Sequence, residues 1–306
     1  MSAHLKQDEP VTSNRLDGMK QGIVGQPLSR VDGLAKVTGT APYAAEYKID
    51  NVAEGVLVTA PITRGEVASI DKDSVLSMPG VLAVLNDERL TTRAAQGTAN
   101  EAPQQDPATV CYWGQPIAVV VAETFEQARD AAKHLKVEYR VHEGAPLDPH
   151  QVAPEEQEDE TVNQGNLDAA MARAAHTVDV EIATEGHASA AMEPHAAIAE
   201  WRDDKLTVHA SLQMPNYNIA ELADSLGIEE SDIRLVSRYV GGGFGSKLGV
   251  SEETVAAAIA ARELGRPVRV VMSRQQVFQC IMRRSETTQK LRLASDEEGK
   301  LDGFAH

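Results

Sequence analysis

The stretch Arg238-Tyr239-Val240-Gly241-Gly242-Gly243-Phe244-Gly245-Ser246-Lys247 decides how this chain is read. Upstream, Ile233-Arg234-Leu235-Val236-Ser237 sets β-branched and apolar residues in near alternation with polar ones, which predicts a strand. Downstream, Ser251 suits an N-cap, and Glu252 and Glu253 put negative charge in a first turn. The alanine-rich run from Val255 to Leu264 then predicts a helix. Gly265 and Pro267 end that helix, and Val268-Arg269-Val270-Val271-Met272 supplies the next strand. The unit is strand, glycine loop, helix, strand. Four glycines in five positions remove Cβ atoms and permit positive φ. Backbone N–H groups can then approach a ligand closely, and a nearby helix start favours an anion. Phe244, alone among these glycines, is expected to pack its ring on something fixed. A phosphate-binding Walker loop needs Gly-Lys-Ser/Thr, and Gly245-Ser246-Lys247 has the wrong order. Gly241, Gly243 and Gly245 fall one residue short of the dinucleotide fingerprint. Pattern alone leaves a ligand cradle and a ligand-free turn both open.

The chain has 306 residues, enough for two domains with a sizeable core, and its 42% apolar content is that of a globular protein. No run is long enough to span a bilayer, and no apolar segment near Met1 resembles a signal peptide. A cytoplasmic protein is expected, with export on a partner's signal left open. Asp plus Glu number 46 against 29 Lys plus Arg, a formal charge of −17, which argues against nucleic acid or an anionic membrane as partner. Cys111 and Cys280 are the only cysteines, too few for an iron–sulfur cluster, a disulfide framework or a zinc site. Both are read as buried, reduced thiols.

Residues 1–29 are polar and aperiodic, an N-terminal arm. Within residues 30–142 a compact mixed α/β domain is expected. Gly55 to Ala60 and Val81 to Leu85 predict strands, and Ile70 to Met78 a short helix closed by Pro79-Gly80. Thr91 to Thr109 reads as a polar loop. Gln115 to Ala122 is an unbroken apolar run, the mark of a strand buried on both faces. Thr124 and Gln127 form a capping box, after which Phe125, Ala128, Ala132 and Leu135 line one helix face. Val137 to Val141 adds a strand. Residues 143–165 form an acidic linker around Glu155-Glu156-Gln157-Glu158-Asp159-Glu160. Residues 166–306 open a second domain. Thr177 to Ala183 predicts a strand, and Ala196 to Trp201 and Leu206 to Leu212 predict two more, joined by a turn over Arg202 to Lys205. A helix follows over Asn216 to Leu226, stopped by Gly227, with Ile219, Leu222, Ala223 and Leu226 inward. Thr288 to Ala294 alternates, and Leu301 begins a strand that is still running at His306. The reading is therefore of the front part of something longer, with exposed apolar surface expected where further segments pack.

His187, Glu193 and His195 cluster, but Pro194 breaks any helix that could align them as metal ligands, so structural polar roles are the better account. Gln213 stands where a strand end opens onto a helix, a common ligand position, and its amide can donate and accept; a capping role fits equally. Ser246 lacks a nucleophile's surroundings.

Several motifs in order carry a resemblance: Arg30-Val31-Asp32-Gly33, then Lys36-Val37-Thr38-Gly39, Gly114-Gln115-Pro116-Ile117-Ala118-Val119-Val120, Ala191-Met192-Glu193-Pro194, Gln213, and Gly241 to Lys247. From about residue 25 onward the chain resembles the molybdenum-binding subunit of the xanthine dehydrogenase/aldehyde oxidase family, most of all the bacterial aldehyde oxidoreductase branch. The resemblance implies an α+β architecture: an α/β hammerhead domain over 30–142 and the first part of a molybdopterin-binding domain over 166–306. It implies a molybdenum–molybdopterin cofactor, in bacteria usually the cytosine dinucleotide, with the metal held by the pterin dithiolene rather than by the protein. Gln213 matches the glutamine that hydrogen-bonds a molybdenum oxygen ligand, and Gly241, Gly242, Gly243, Phe244 and Gly245 match the loop whose backbone meets the cofactor. Leu248 stands where many members carry a glutamate toward purine-like substrates, which implies a less polar substrate such as an aldehyde. The general base is expected beyond His306. A [2Fe-2S] subunit and an FAD subunit are the implied partners, because this chain has neither the cysteines nor a flavin fingerprint, together with the C-terminal half of the molybdenum subunit. Two other classes stay open: a non-catalytic remnant or split half that is inactive alone, and a generic nucleotide binder.

Overall fold

The computed structural model describes residues 22–23, 25–90, 108–144, 151 and 161–306. Most of the arm expected over 1–29, of the polar loop over 91–109 and of the acidic linker over 143–165 lies outside the described residues. The chain divides into two units, Met1–Ala41 and Pro42–His306. The first contains helix α1 (Gly33–Val37), whose N-cap residue Asp32 pairs with Lys36 at 2.7 Å.

The second unit begins with β1 (Ala53–Thr59), β2 (Gly65–Asp71), α2 (Asp73–Leu76) and β3 (Val81–Leu85). Next come β4 (Thr109–Val110), β5 (Pro116–Ala122), α3 (Phe125–His134) and β6 (Lys136–Val141). From residue 161 onward lie α4 (Leu167–Arg173), β7 (His176–Thr184), β8 (Ala196–Arg202), β9 (Lys205–Ala210), α5 (Pro215–Leu226) and β10 (Ile233–Val236). The chain continues through α6 (Glu252–Leu264), β11 (Val268–Val271), α7 (Arg274–Cys280), β12 (Thr287–Ser295) and β13 (Leu301–Ala305).

A seven-stranded sheet in the order β10-β9-β8-β11-β1-β5-β3 is the frame. β9/β10 and β1/β11 pair in parallel and the other neighbours antiparallel, so strands from early and late in the chain share one sheet. β5 shows why the run Gln115–Ala122 had to be apolar throughout. Its side chains alternate in direction: Val119 and Val121 enter one core with β8, β9, β11 and α6, while Ala118 and Val120 enter a second with Val75, Val110 and Leu135. Gly55 on β1 has no room for a side chain, since a Cβ would lie 2.7 Å from Val270 Cγ2. α6 is buried from Glu252 to Ala261, and its alanines let it lie close to the sheet. Gly227 and Gly265 take left-handed conformations at the ends of α5 and α6, as C-caps should. Asp203 and Asp204 both have positive φ, the geometry that closes a tight hairpin between β8 and β9.

Two smaller sheets complete the unit, β4-β2-β6 and β13-β12-β7. In the latter, α4 covers one face, where a Cβ on Gly303 would lie 3.0 Å from Ala170 Cβ. Val178, Val180 and Ile182 of β7 are exposed.

Some expectations need correction. Ile70 lies within β2, which runs to Asp71, rather than starting a helix. A register shift between Val67 and Ser69 breaks the alternation that reveals a strand, and only Asp73–Leu76 is helical. On α3 the buried face is Ala128 and Ala131, while Phe125 is exposed beneath the Arg129 guanidinium, 5.6 Å from its ring centre. Cys280 is buried and donates to the Gly114 carbonyl at 3.1 Å, but Cys111 is exposed.

Candidate functional site

β9 and β10 run parallel and end side by side, so the segments that follow them emerge together. One carries Gln213 into α5; the other carries Gly241–Lys247 toward α6. Gln213 N–H donates to the Lys247 carbonyl at 2.8 Å. Gln213 Oε1 accepts from the N–H groups of Gly245 at 3.1 Å and Lys247 at 3.3 Å. Two N–H donors on one side-chain atom identify it as the oxygen, so the amide nitrogen is the end left to donate outward.

The loop divides its own amides. Gly241 N–H goes to Glu193 Oε2 at 2.6 Å, Ser246 N–H to the Gly243 carbonyl at 3.0 Å, and those of Gly245 and Lys247 to Gln213. The consecutive N–H groups of Gly242, Gly243 and Phe244 have no acceptor among the described residues. Gly242 at φ 101° and Phe244 at φ 54° bracket Gly243, so the backbone alternates in hand as anion-binding concavities do. The glycines are required by contact as well as by conformation. A Cβ at Gly243 would sit 2.2 Å from Gln213 Oε1, and one at Gly241 2.5 Å from Glu193 Cβ. At Gly245 the same atom would meet nothing within 4 Å: that side of the loop is open. A loop pressed onto Gln213 and Glu193 on one side, open on the other, and carrying free donors fits an anionic or oxygen-rich group that approaches from outside.

Phe244 departs from expectation. The residue is 79% exposed rather than packed, on a backbone of positive φ. Ser189 Oγ holds its carbonyl at 3.2 Å. Leu248 is half-buried, and its carbonyl accepts from Asn218 Nδ2 at 2.7 Å.

Beneath the loop lies a group whose work the sequence did not disclose. Lys247 is fully buried, and its Nζ donates to the Glu193 carbonyl at 3.0 Å, to Glu193 Oε2 at 3.0 Å and to Ser211 Oγ at 2.8 Å. Ser211 Oγ in turn donates to Glu193 Oε2 at 2.5 Å. Burial pushes the Lys247 ammonium below its usual range, and Glu193 opposes that shift. His195, also buried, directs Nε2 at the Ser246 carbonyl, 3.0 Å away. That contact needs the tautomer with the proton on Nε2. His187 only bridges its backbone to Arg284. The three residues of the sequence cluster are thus dispersed over separate structural tasks. A cavity of about 450 Å³ lined by Arg89, Trp201, Leu226, Gly227 and Arg262 lies at the far end of α5. It includes none of the loop residues and is not the site described here.

Comparison with known proteins follows the same division of the chain. Residues 121–306 match the molybdopterin cofactor-binding domain family, and residues 38–143 match the aldehyde oxidase and xanthine dehydrogenase a/b hammerhead domain. Over 307 residues the chain is 38% identical to the aldehyde oxidoreductase molybdenum-binding subunit PaoC of Escherichia coli (strain K12), covering 99% of this chain and 42% of that one. It is 28% identical to the nicotine 6-hydroxylase large subunit of Paenarthrobacter nicotinovorans, covering 96% of this chain and 38% of the relative. The chain therefore spans about two fifths of the length of these relatives. Among solved structures, quinoline 2-oxidoreductase from Pseudomonas putida 86 shares the fold with a TM-score of 0.81 at 22% identity, covering 92% of this chain and 38% of that one. Aldehyde oxidoreductase from Desulfovibrio gigas does so at 0.78 and 24%, covering 89% and 33%.

Proposed function

The chain belongs to the molybdenum-binding subunits of the aldehyde oxidase and xanthine dehydrogenase family, and on that premise we propose that it is part of the catalytic subunit of a molybdenum hydroxylase that oxidises aldehydes or N-heterocycles. When bound, a pterin-held molybdenum supplies a two-electron oxidation with water as the oxygen source. The observation that carries the reading is the one-sided cradle. Gln213 has its oxygen tied down by two loop amides, and the N–H groups of Gly242, Gly243 and Phe244 remain available beside it.

In this reading Gln213 Nε2 donates to an oxygen of the cofactor, and the free loop amides line its anionic side. Gly241 and Gly245 take part differently: their N–H groups are already used within the protein and hold the loop in shape. Leu248 presents an apolar side chain where a carboxylate would favour purine-like substrates, which supports an aldehyde. The cofactor is proposed to be the cytosine dinucleotide form. Electrons are proposed to leave through separate [2Fe-2S] and FAD subunits, because the two cysteines of this sequence are too few to ligate such a cluster. Relatives named as subunits of larger enzymes support this. We place the domains at 30–142 and 166–306, joined by the acidic linker 143–165 behind the arm 1–29. In this proposal the general base comes from polypeptide beyond the two fifths of its relatives' length that this chain spans, so the chain by itself is proposed to be inactive. No helix among the described residues is long and apolar enough to cross a membrane. We propose the cytoplasm as the place where the assembled enzyme works.

The test is an aldehyde-dependent dye-reduction assay. The chain affinity-purified with its native partners should turn over aromatic aldehydes, while the chain alone should not. Equal turnover by the isolated chain would overturn the division of labour. No turnover by the assembly with any aldehyde or N-heterocycle would overturn the activity.

A further inference from the structure

Gly241 and Lys247 mark the two ends of the loop, and both are fastened to one side chain. Glu193 Oε2 accepts from Gly241 N–H at 2.6 Å at the entry and from Lys247 Nζ at 3.0 Å at the exit. An ammonium has three donors, and Lys247 spends all three on Glu193 O, Glu193 Oε2 and Ser211 Oγ. Its main chain meanwhile grips Gln213 from both sides, the carbonyl accepting at 2.8 Å and the N–H donating at 3.3 Å. Lys247 thus connects the carboxylate that holds the loop entry to the amide that faces outward.

We infer that Glu193 and Lys247 are positioning residues: a buried clasp that closes the loop before any ligand arrives, leaving the amides of Gly242, Gly243 and Phe244 free and fixing the direction of Gln213. Three observations carry this. First, the Lys247 side chain is 0% exposed and that of Glu193 11% exposed. Such an ion pair gives up hydration on both partners and is a costly way to gain stability, so its value lies in the geometry it imposes. Second, Gly241 must lack a Cβ because Glu193 occupies that space, so carboxylate and loop are fitted to each other. Third, the clasp engages both flanks and leaves only the central amides unused. Neither residue reaches the outer side of the loop, so they act through the backbone and through Gln213. What the free amides face rests on the cofactor reading above; the clasping itself does not.

The experiment uses the full chain, wild type, Lys247→Met and the neutral pair Glu193→Gln/Lys247→Met. Hydrogen–deuterium exchange is followed in the peptide spanning 238–250 and, for comparison, in β8 and β11. Lys247→Met leaves a buried carboxylate without its cation and is expected to lower the melting temperature throughout. The neutral pair removes that imbalance and should recover most of the lost stability. It should nevertheless leave the amides of Gly245 and Lys247 exchanging about tenfold faster than wild type relative to β8 and β11. Recovery of both stability and loop protection in the neutral pair would overturn the inference, since charge balance alone would then account for the clasp. So would loop exchange that rises only in step with the sheet. If Lys247→Met does not fold, the neutral pair still decides the matter. Molybdenum and pterin co-purifying with the neutral pair from the native host form a separate readout. A loosened loop with unchanged cofactor content supports the clasp and counts against the cofactor reading.

Discussion

Replacing Gly243 by alanine puts a methyl group where the side chain of Gln213 already stands. The new Cβ would lie 2.2 Å from Oε1, 2.5 Å from Cδ and 2.8 Å from Cγ. Gly243 does not have positive φ, so the backbone itself tolerates alanine and the cost is steric. The amide must swing away, which breaks its bonds to the N–H groups of Gly245 and Lys247. Both are long bonds, each worth about 1 kcal/mol net, so a loss of about 2 kcal/mol is expected. In a chain of 306 residues that lowers the melting temperature by roughly 3 °C. Gly245→Ala is the matched control. Its Cβ would meet nothing, but φ of 93° strains any side chain, at about 1–2 kcal/mol, while Gln213 stays in place. Urea unfolding gives the energies, and amide exchange at Gly245 and Lys247 reports where Gln213 is. Gly243→Ala should expose those two amides, whereas Gly245→Ala should leave Lys247 protected. Unchanged stability and unchanged protection in Gly243→Ala would refute the tight fit between loop and glutamine.

Gly55→Ala should cost about 1–3 kcal/mol of stability in the same unfolding assay. Its Cβ would strike Val270 Cγ2 at 2.7 Å and approach Val119 Cγ2 at 3.3 Å in the middle of the sheet, where neither neighbour can leave. His209 predicts a pH dependence. Its imidazole stacks on Tyr47 at 4.1 Å, and its value is held below the ordinary 6.5, first by burial and then by the Arg234 charge. The unfolded chain therefore takes up the proton first as pH falls through 6.5. This contribution to stability is complete above that value and is lost as pH falls toward the lower folded-state value. His209→Gln should flatten the fall in melting temperature between about pH 7 and 5. An equally steep fall in the variant would show that another group is responsible.

What the sequence disclosed follows from which interactions are local. β5 was legible because a strand buried on both faces has to be apolar at every position, and α5 and α6 because each ends at a left-handed glycine. β2 was not, since a bulge between Val67 and Ser69 shifts the alternation by one residue. Phe244 was read from residue type, and the residue is exposed on a backbone of positive φ. At the site, Gln213 and the glycine loop could be found by pattern and resemblance. The tie between Glu193, Ser211 and Lys247 could not, because it joins residues as many as 54 positions apart. One sign was present. Lys247 is the only cation between Arg238 and Arg262, set among glycine and apolar residues, where an unpaired ammonium could not be buried.

The most direct measurement is the molybdenum and pterin content of this chain, purified with its native partners from a cofactor-producing host, beside that of Gln213→Leu. The account predicts close to one molybdenum and one pterin per wild-type chain, and a loss of about tenfold or more once the outward donor is gone, the weight of a buried charge-assisted bond. Wild-type protein free of both, or a leucine variant that retains them in full, would contradict it.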